Sequence, residues 1–215
     1  MKLQLAIDLE DIDGAIKLID KTKDYVDVFE YGTPLVINFG LEGLQKIRDK
    51  FPDITLFADL KIMDVAPYEV AQAYKYGADM TSILGQAEDQ SIKDAIKGAR
   101  EAGKKILVDM IAVRDIEKRT KEVDEMGADY VCTHTGYDLQ DLGETPFETF
   151  HKMKANTTKT KTAVAGGIKI NTADQIIAEN PDLLIVGGGI ATVDNPTAAA
   201  KTIKDKIIKA GKADE

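Results

Sequence analysis

Residues 162–190 read TAVAGGIKINTADQIIAENPDLLIVGGGI. Two short apolar runs, 162–166 and 183–187, each close on glycines, and a stretch with helical spacing lies between them. The runs are nearly continuous in hydrophobicity, as strands covered on both faces should be. An open doubly wound sheet usually has five to seven strands and a glycine-rich turn directly after its first one. Here Asp8-Leu9-Glu10 follows the first strand, and the glycines come after the last two. That placement favours a closed parallel barrel over an open sheet.

Outward from that stretch, the same alternation covers the whole chain. Strands are predicted at 2–8, 26–30, 55–59, 80–84, 105–109, 130–134, 162–166 and 183–187. Between them, stretches such as 92–102 and 116–126 carry apolar residues at three- and four-residue spacing. Eight such units in succession predict an α/β fold of the (β/α)8, or TIM barrel, kind, with one domain over residues 1–215. Two local repeats agree: Tyr76-Gly77-Ala78-Asp79-Met80 and Met126-Gly127-Ala128-Asp129-Tyr130, each with a glycine that stops a helix just before a strand. No Ser/Pro-rich linker interrupts the pattern, and the polar tail from Ala210 to Glu215 is expected to fray.

Composition bounds the function. A hydrophobic content of 44% over 215 residues supports a sizeable core and argues against disorder. A formal net charge of −9 argues against nucleic acid or an anionic membrane as partner, because the overall field repels both. An anionic small molecule is still admissible, since backbone amides and one or two placed cations can hold a phosphate. Cys132 is the only cysteine, so no internal disulfide can form. The N-terminal apolar run is too short for a signal peptide, and no stretch is long enough to span a membrane. A cytoplasmic enzyme is the expectation.

Barrel enzymes carry their chemistry where strands end, so polar residues closing apolar runs are the candidates. Asp8, Glu30, Asp59, Asp109 and His134 all do so. On an extended third strand Asp59 and Lys61 would point to the same side, into the barrel mouth; the bland alternative is a structural ion pair. Glu30 and Asp59 close neighbouring strands and could converge on one cation, which suits magnesium's habit of taking one or two carboxylates. Zinc is disfavoured, because His134, His151 and Cys132 have no ligand spacing. A lone histidine is commonly structural, but His134 at a rim facing acids reads as a proton carrier. His151 is expected on a helical surface, and Cys132 as a small core residue.

The glycine runs form the clearest ligand signal. Gly166 and Gly167 close strand seven; Gly188 and Gly189 follow strand eight. Glycines let a backbone approach a ligand closely, and phosphate sites after strands seven and eight recur in this fold. Tight turns alone would not explain why both clusters occupy this one pair of strand ends.

Several segments then stand together: Leu5-Ala6-Ile7-Asp8-Leu9, Glu30-Tyr31-Gly32-Thr33-Pro34, Ala58-Asp59-Leu60-Lys61-Ile62-Met63-Asp64, His134-Thr135-Gly136-Tyr137-Asp138 and the two glycine clusters. With these the chain resembles the orotidine 5′-phosphate decarboxylase suprafamily, and within it the 3-hexulose-6-phosphate synthase branch, over nearly its whole length. The Asp-x-Lys-x-x-Asp core marks the suprafamily, and the His-Thr-Gly-Tyr-Asp segment is the more selective marker of that branch. The resemblance implies a reversible aldol reaction joining D-ribulose 5-phosphate to formaldehyde, giving D-arabino-hex-3-ulose 6-phosphate, with Mg2+ (or Mn2+) as cofactor. It implies that Glu30 and Asp59 hold the metal, which binds the enediolate oxygens. His134 would carry the proton, Lys61 would stabilise developing charge, and Asp8 would orient Lys61 or the substrate. Asp64 matches a residue that reaches across a dimer interface in the suprafamily, so a homodimer with shared active sites is implied.

One departure concerns the loop after Asp64, which reads Val65-Ala66-Pro67-Tyr68 where the resemblance leads one to expect Ala-Gly-Gly before the tyrosine. Pro67 suits the first turn of a helix. The nearest alternative is 3-keto-L-gulonate 6-phosphate decarboxylase on the same scaffold. That branch carries arginines at the positions that correspond to Tyr137 and Gly188. A non-catalytic sugar-phosphate-binding barrel is the alternative of a different class, and the presence of Asp59, Lys61, Asp64 and His134 argues against it.

Overall fold

A computed structural model describes residues 1–9, 11–140 and 142–211. Eight parallel strands, β1 (Lys2–Ile7), β2 (Val28–Tyr31), β3 (Leu56–Ile62), β4 (Met80–Leu84), β5 (Lys105–Asp109), β6 (Tyr130–His134), β7 (Lys161–Ala165) and β8 (Leu183–Val186), pair in sequence order, and β8 pairs back with β1. The predicted (β/α)8 barrel is therefore the observed fold. Around the sheet run α1 (Ile12–Thr22), α2 (Thr33–Lys50, broken at Gly40), α3 (Ala66–Lys75), α4 (Asp89–Glu101), α5 (Ile116–Met126), α6 (Tyr137–Gln140), α7 (Phe147–Ala155), α8 (Ala173–Ala178), α9 (Gly188–Ala191) and α10 (Pro196–Gly211).

Alternation along each strand builds two cores. Leu3, Leu5, Ile7, Phe29, Tyr31, Leu56, Ile83, Ile106, Val131, Val164 and Val186 belong to the core shared by the sheet and the helix ring. Ala6, Val28, Phe57, Met80, Leu107, Tyr130, Cys132, Ala163, Leu183 and Ile185 form a second cluster that fills the barrel interior. Helix starts follow simple capping. Asp11 accepts the amide of Gly14, Asp115 accepts that of Lys118, and Pro67 sits in the first turn of α3.

The repeat noticed in the sequence recurs around the barrel floor. Asp27, Asp79, Asp129 and Asp182 each precede an even-numbered strand, and their carboxylates accept the amides of Leu3, Leu56, Ile106 and Thr162, near the starts of the odd-numbered ones. Four aspartates thus stitch the barrel into quarters at its amino end. The glycine before two of them, Gly77 or Gly127, holds positive φ and lets the preceding helix stop.

Several strand ends shift by a residue or two from the sequence expectation, and three boundaries differ for a structural reason. β2 begins at Val28 rather than residue 26, because Asp27 is occupied as a stitch. β3 runs on to Ile62 instead of ending at Asp59, through an irregularity described below. α10 continues through Ala210 to Gly211, so fraying does not begin at Ala210, and residues 212–215 lie outside the described residues.

A further carboxylate anchors the approach to β7. Asp124, buried on α5, accepts the Thr158 amide and hydroxyl together with the amides of Lys159 and Thr160. Burial opposes its ionisation, yet these four donors hold its pKa well below the usual carboxylate range. Asp124→Ala is expected to lower the free energy of unfolding by about 2–4 kcal/mol at neutral pH. A depressed carboxylate contributes above its unfolded-state pKa of about 4 and loses that contribution as pH falls through the folded value. The gap between wild type and variant in urea unfolding should therefore narrow in acid.

Candidate active site

The carboxyl ends of the strands surround a cavity of about 310 Å³ lined by Asp8, Glu30, Asp59, Lys61, Asp109 and His134, with Phe57, Leu107, Cys132 and Ile185 among its apolar lining. Strand alternation explains the charged set. Glu30 follows Val28 on the inward face of β2, Asp59 follows Phe57 on β3, Asp109 follows Leu107 on β5, and His134 follows Cys132 on β6. Each strand thus contributes an apolar residue below and a polar one above.

Burial and crowding set the electrostatics. Burial raises the Glu30 pKa well above the usual range, and the charges of Asp59 and Asp8 push it the same way. Asp8 is raised for the same reasons, first burial and then Asp59. Lys61 is the counter-charge. Burial would lower its pKa, but its ion pair with Asp59 holds it above the ordinary lysine value. The second Asp59 oxygen accepts the Ser82 hydroxyl at 2.7 Å, and Thr33 Oγ1 lies 2.9 Å from the first.

Below Glu30, fully buried Gln4 donates its Nε2 to Glu30 Oε2 at 2.6 Å, while its own carbonyl oxygen has no partner among the described residues. Against an ionised Glu30 the opposite orientation would set oxygen against oxygen, so there the amide donates.

His134 and Asp109 form a dyad: Nδ1 lies 2.8 Å from Asp109 Oδ2. Asp109 Oδ1 also accepts the Ile111 amide at 2.9 Å, which anchors the carboxylate. Burial alone would lower the imidazole pKa, but Asp109 raises it overall, and the reciprocal effect keeps Asp109 below its ordinary value despite burial. In the sequence Asp109 stands only as a strand-closing acid, with no role attached. Its pairing with His134 joins two strands and has no local spacing to betray it.

The two glycine turns lie against each other. A Cβ on Gly189 would fall on the Ile168 carbonyl oxygen, so only glycine lets the β8 turn close on the β7 turn. Gly166, at φ 102°, packs under the Thr135 backbone. Gly187 approaches the Asp8 carboxylate, so this rim is the one that carries the charged cluster. The amides of Gly167, Gly188 and Gly189 donate to no protein acceptor among the described residues. None of these glycines lines the cavity itself; they stand beside it.

Two placements differ from expectation. Lys61 meets Asp59, but not by extended alternation: its φ is 49°, and β3 breaks register with β4 between Ala58 and Ile62. Asp64 does not line the cavity of its own chain. It is exposed on the turn after β3, beside Met63, Val65 and Tyr68, which are also exposed. Cys132 is buried with its thiol pKa pushed up by burial, and His151 is exposed on α7, as their sequence contexts suggested.

No three potential ligands form a ready coordination sphere among the described residues. The donor set nonetheless suits a hard divalent cation. Glu30 and Asp59 offer carboxylate oxygens to one cavity, and the crowding that raises Glu30 is what a cation would relieve.

Comparison with known proteins places these features. Residues 1–203 match the family described as Orotidine 5'-phosphate decarboxylase / HUMPS family. A protein of Staphylococcus saprophyticus named 3-hexulose-6-phosphate synthase 3 is 56% identical over 207 residues, spanning 96% of this chain and 99% of its own. The crystal structure of 3-hexulose-6-phosphate synthase from Salmonella typhimurium superposes with a TM-score of 0.95 at 37% identity, covering 98% of this chain and 100% of the other. A crystal structure of KGPDC from Streptococcus mutans aligns at TM-score 0.89 and 25% identity, covering 97% of this chain and 98% of the other.

The buried-charge cost at position 30 is directly measurable. Glu30→Gln keeps an acceptor for Gln4 and removes the carboxylate, so in chelator-treated protein it should raise the unfolding free energy by on the order of 1–2 kcal/mol at neutral pH. A variant less stable than wild type under those conditions would contradict the charge crowding described here.

Proposed function

The chain belongs to the orotidine 5′-phosphate decarboxylase / HUMPS family, and on that premise we propose that it is a 3-hexulose-6-phosphate synthase, condensing D-ribulose 5-phosphate with formaldehyde. The observation that carries the reading is the convergence of Glu30, Asp59, Lys61 and the Asp109–His134 dyad on one cavity, in a chain 56% identical to a protein of that name.

The sugar phosphate would lay its phosphate on the amides of Gly166, Gly167, Gly188 and Gly189 and its ketose end over the charged cluster. Formaldehyde offers little surface, so binding energy must come from the sugar phosphate. The Nδ1–H of His134 is held by Asp109, which leaves Nε2 as the nitrogen free to take the proton from C1 of the ketose. The carbon so activated attacks the formaldehyde carbon, one carbon–carbon bond forms, and the former carbonyl oxygen takes up a proton. Lys61, kept cationic by Asp59, donates to the oxygen on which negative charge grows, and Asp8 would orient Lys61 or the substrate. A divalent cation, magnesium or manganese, held by Glu30 and Asp59 would supply Lewis-acid stabilisation of that charge, several kcal/mol in a closed site.

Asp64 enters the proposal through a second copy. Exposed beside Met63, Val65 and Tyr68, it sits on an apolar surface suited to a homodimer in which it would reach the partner's active site. No helix among the described residues is long and apolar enough to cross a membrane. The net charge of −9 disfavours polyanionic partners, and the reading takes a small sugar phosphate as the partner and the cytoplasm as the compartment.

Incubation with ribulose 5-phosphate, formaldehyde and Mg2+ should consume formaldehyde, and EDTA should stop it. Consumption indifferent to EDTA would defeat the metal assignment. Release of CO2 from 3-keto-L-gulonate 6-phosphate without formaldehyde loss would move the chain to the decarboxylase branch. His134→Asn and Lys61→Ala are expected to lower kcat by about 100-fold or more.

The dyad yields a pH test. A base whose pKa is raised by Asp109 is active only above that raised value, so Asp109→Asn should shift the acid limb of kcat/KM to lower pH. The plateau should fall about tenfold or more, because the ring loses its orienting partner. An unmoved limb would remove His134 from the role of base.

A further inference from the structure

The third strand carries its chemistry on a segment that leaves the regular ladder. β3 pairs with β4 at Phe57 with Met80 and Ala58 with Thr81, and next at Ile62 with Ile83. Asp59, Leu60 and Lys61 therefore stand opposite the single residue Ser82. Lys61 holds φ 49°, a left-handed conformation that a residue bearing a Cβ adopts only under constraint. A bulge of this kind re-aims side chains, and here it turns Lys61 back onto Asp59. The broken ladder also leaves backbone groups that need partners inside a water-poor barrel wall.

β4 supplies them from two consecutive side chains. Thr81 donates its hydroxyl to the Ala58 carbonyl at 2.8 Å. Ser82, fully buried, accepts the Lys61 amide at 2.9 Å and donates its hydrogen to Asp59 Oδ1 at 2.7 Å. One oxygen thus fixes both the backbone that aims Lys61 and the carboxylate that faces it. On the other flank Thr33 Oγ1 lies 3.2 Å from Lys61 Nζ, 2.9 Å from Asp59 Oδ2 and 3.0 Å from the Asp59 carbonyl, but it accepts no backbone N–H and leaves the Lys61 amide to Ser82.

We propose that Ser82 is a positioning residue of this site: its hydroxyl clamps the left-handed Asp59–Lys61 turn and so sets where the lysine ammonium and the Asp59 carboxylate point. It acts through those two residues and touches no reacting atom. The inference rests on the reading of Asp59 and Lys61 as part of the active site, and it goes beyond the residues singled out from the sequence, which included nothing on the fourth strand. The chemistry requires a hydroxyl, because one group must both accept from an amide and donate to a carboxylate. Alanine does neither, cysteine does both weakly, and threonine does both with better strand preference.

The test uses Ser82→Ala, Ser82→Cys and Ser82→Thr in the full chain. Hydrogen–deuterium exchange resolved at the Lys61 amide reads the clamp without reference to activity; it should accelerate about tenfold or more in Ser82→Ala and return toward wild type in Ser82→Thr. At saturating magnesium, kcat for formaldehyde consumption should fall about 30- to 100-fold in Ser82→Ala, with KM for ribulose 5-phosphate within about threefold, and Ser82→Thr should restore kcat. If the alanine variant does not fold, the cysteine variant takes its place, with a smaller change expected in the same direction in both measurements. Wild-type exchange at Lys61 in the variant that folds overturns the clamp, and so does wild-type kcat there. If the wild-type chain turns over no formaldehyde, the synthase reading falls, and the exchange measurement alone then decides whether Ser82 holds the turn.

Discussion

Asp8, Glu30, Asp59 and Asp109 close the inward faces of four strands and meet there one lysine and one histidine. Carboxylates this close in a buried site cannot all be charged without compensation, and the barrel answers each differently. Asp109 is compensated by His134 and stays ionised. Asp59 is compensated by Lys61, Thr33 and Ser82. Glu30 and Asp8 lack a cationic partner of their own, and burial together with their neighbours raises both. The residual demand for positive charge therefore falls on one part of the cavity, the part nearest Glu30. A hard cation would relieve such a site, and a cation held there would in turn attract negative charge developing on a bound molecule.

The cost of this crowding is carried elsewhere in the barrel. Its floor is stitched by Asp27, Asp79, Asp129 and Asp182, each accepting an amide of the neighbouring strand. Above them the interior is filled by Val28, Phe57, Met80, Leu107, Tyr130 and Leu183. Packing and satisfied hydrogen bonds thus concentrate at the amino end, and unsatisfied charge concentrates at the carboxyl end. Substitutions on the floor should act on folding with little effect on chemistry, and those at the mouth the reverse, as the opposite faces of this fold commonly divide.

Much of this is legible in the sequence. Runs of Val, Ile and Leu closing on Asp8, Glu30, Asp59, Asp109 and His134 mark strands and their carboxyl ends together, because burial on both faces and a polar last residue are properties of the local sequence. The glycine clusters are equally readable as turns on one rim. What local sequence does not carry is the contact across strands. The Asp109–His134 dyad, the Gln4 donor beneath Glu30 and the Ser82 clamp each join residues more than twenty positions apart. Ser82 and Gln4 also lie inside apolar runs, where a single polar residue looks like ordinary variation. Lys61 shows the converse. Its expected partner is the observed one and its expected backbone is not, since simple alternation gives the same pairing that a bulge with left-handed φ achieves.

Gln4 completes the logic of the cavity. A hydrocarbon at this position would leave Glu30 Oε2 buried without a donor, and a lysine would satisfy the carboxylate permanently and compete with any incoming cation. An amide does neither: it gives one neutral hydrogen bond, fixes which Glu30 oxygen points down into the barrel, and leaves the other toward the cavity. The cost is its own carbonyl oxygen, buried without a partner among the described residues. An orphaned acceptor inside a packed barrel is a defect for folding, and it makes sense where the residue's work is to hold a carboxylate in place without neutralising it.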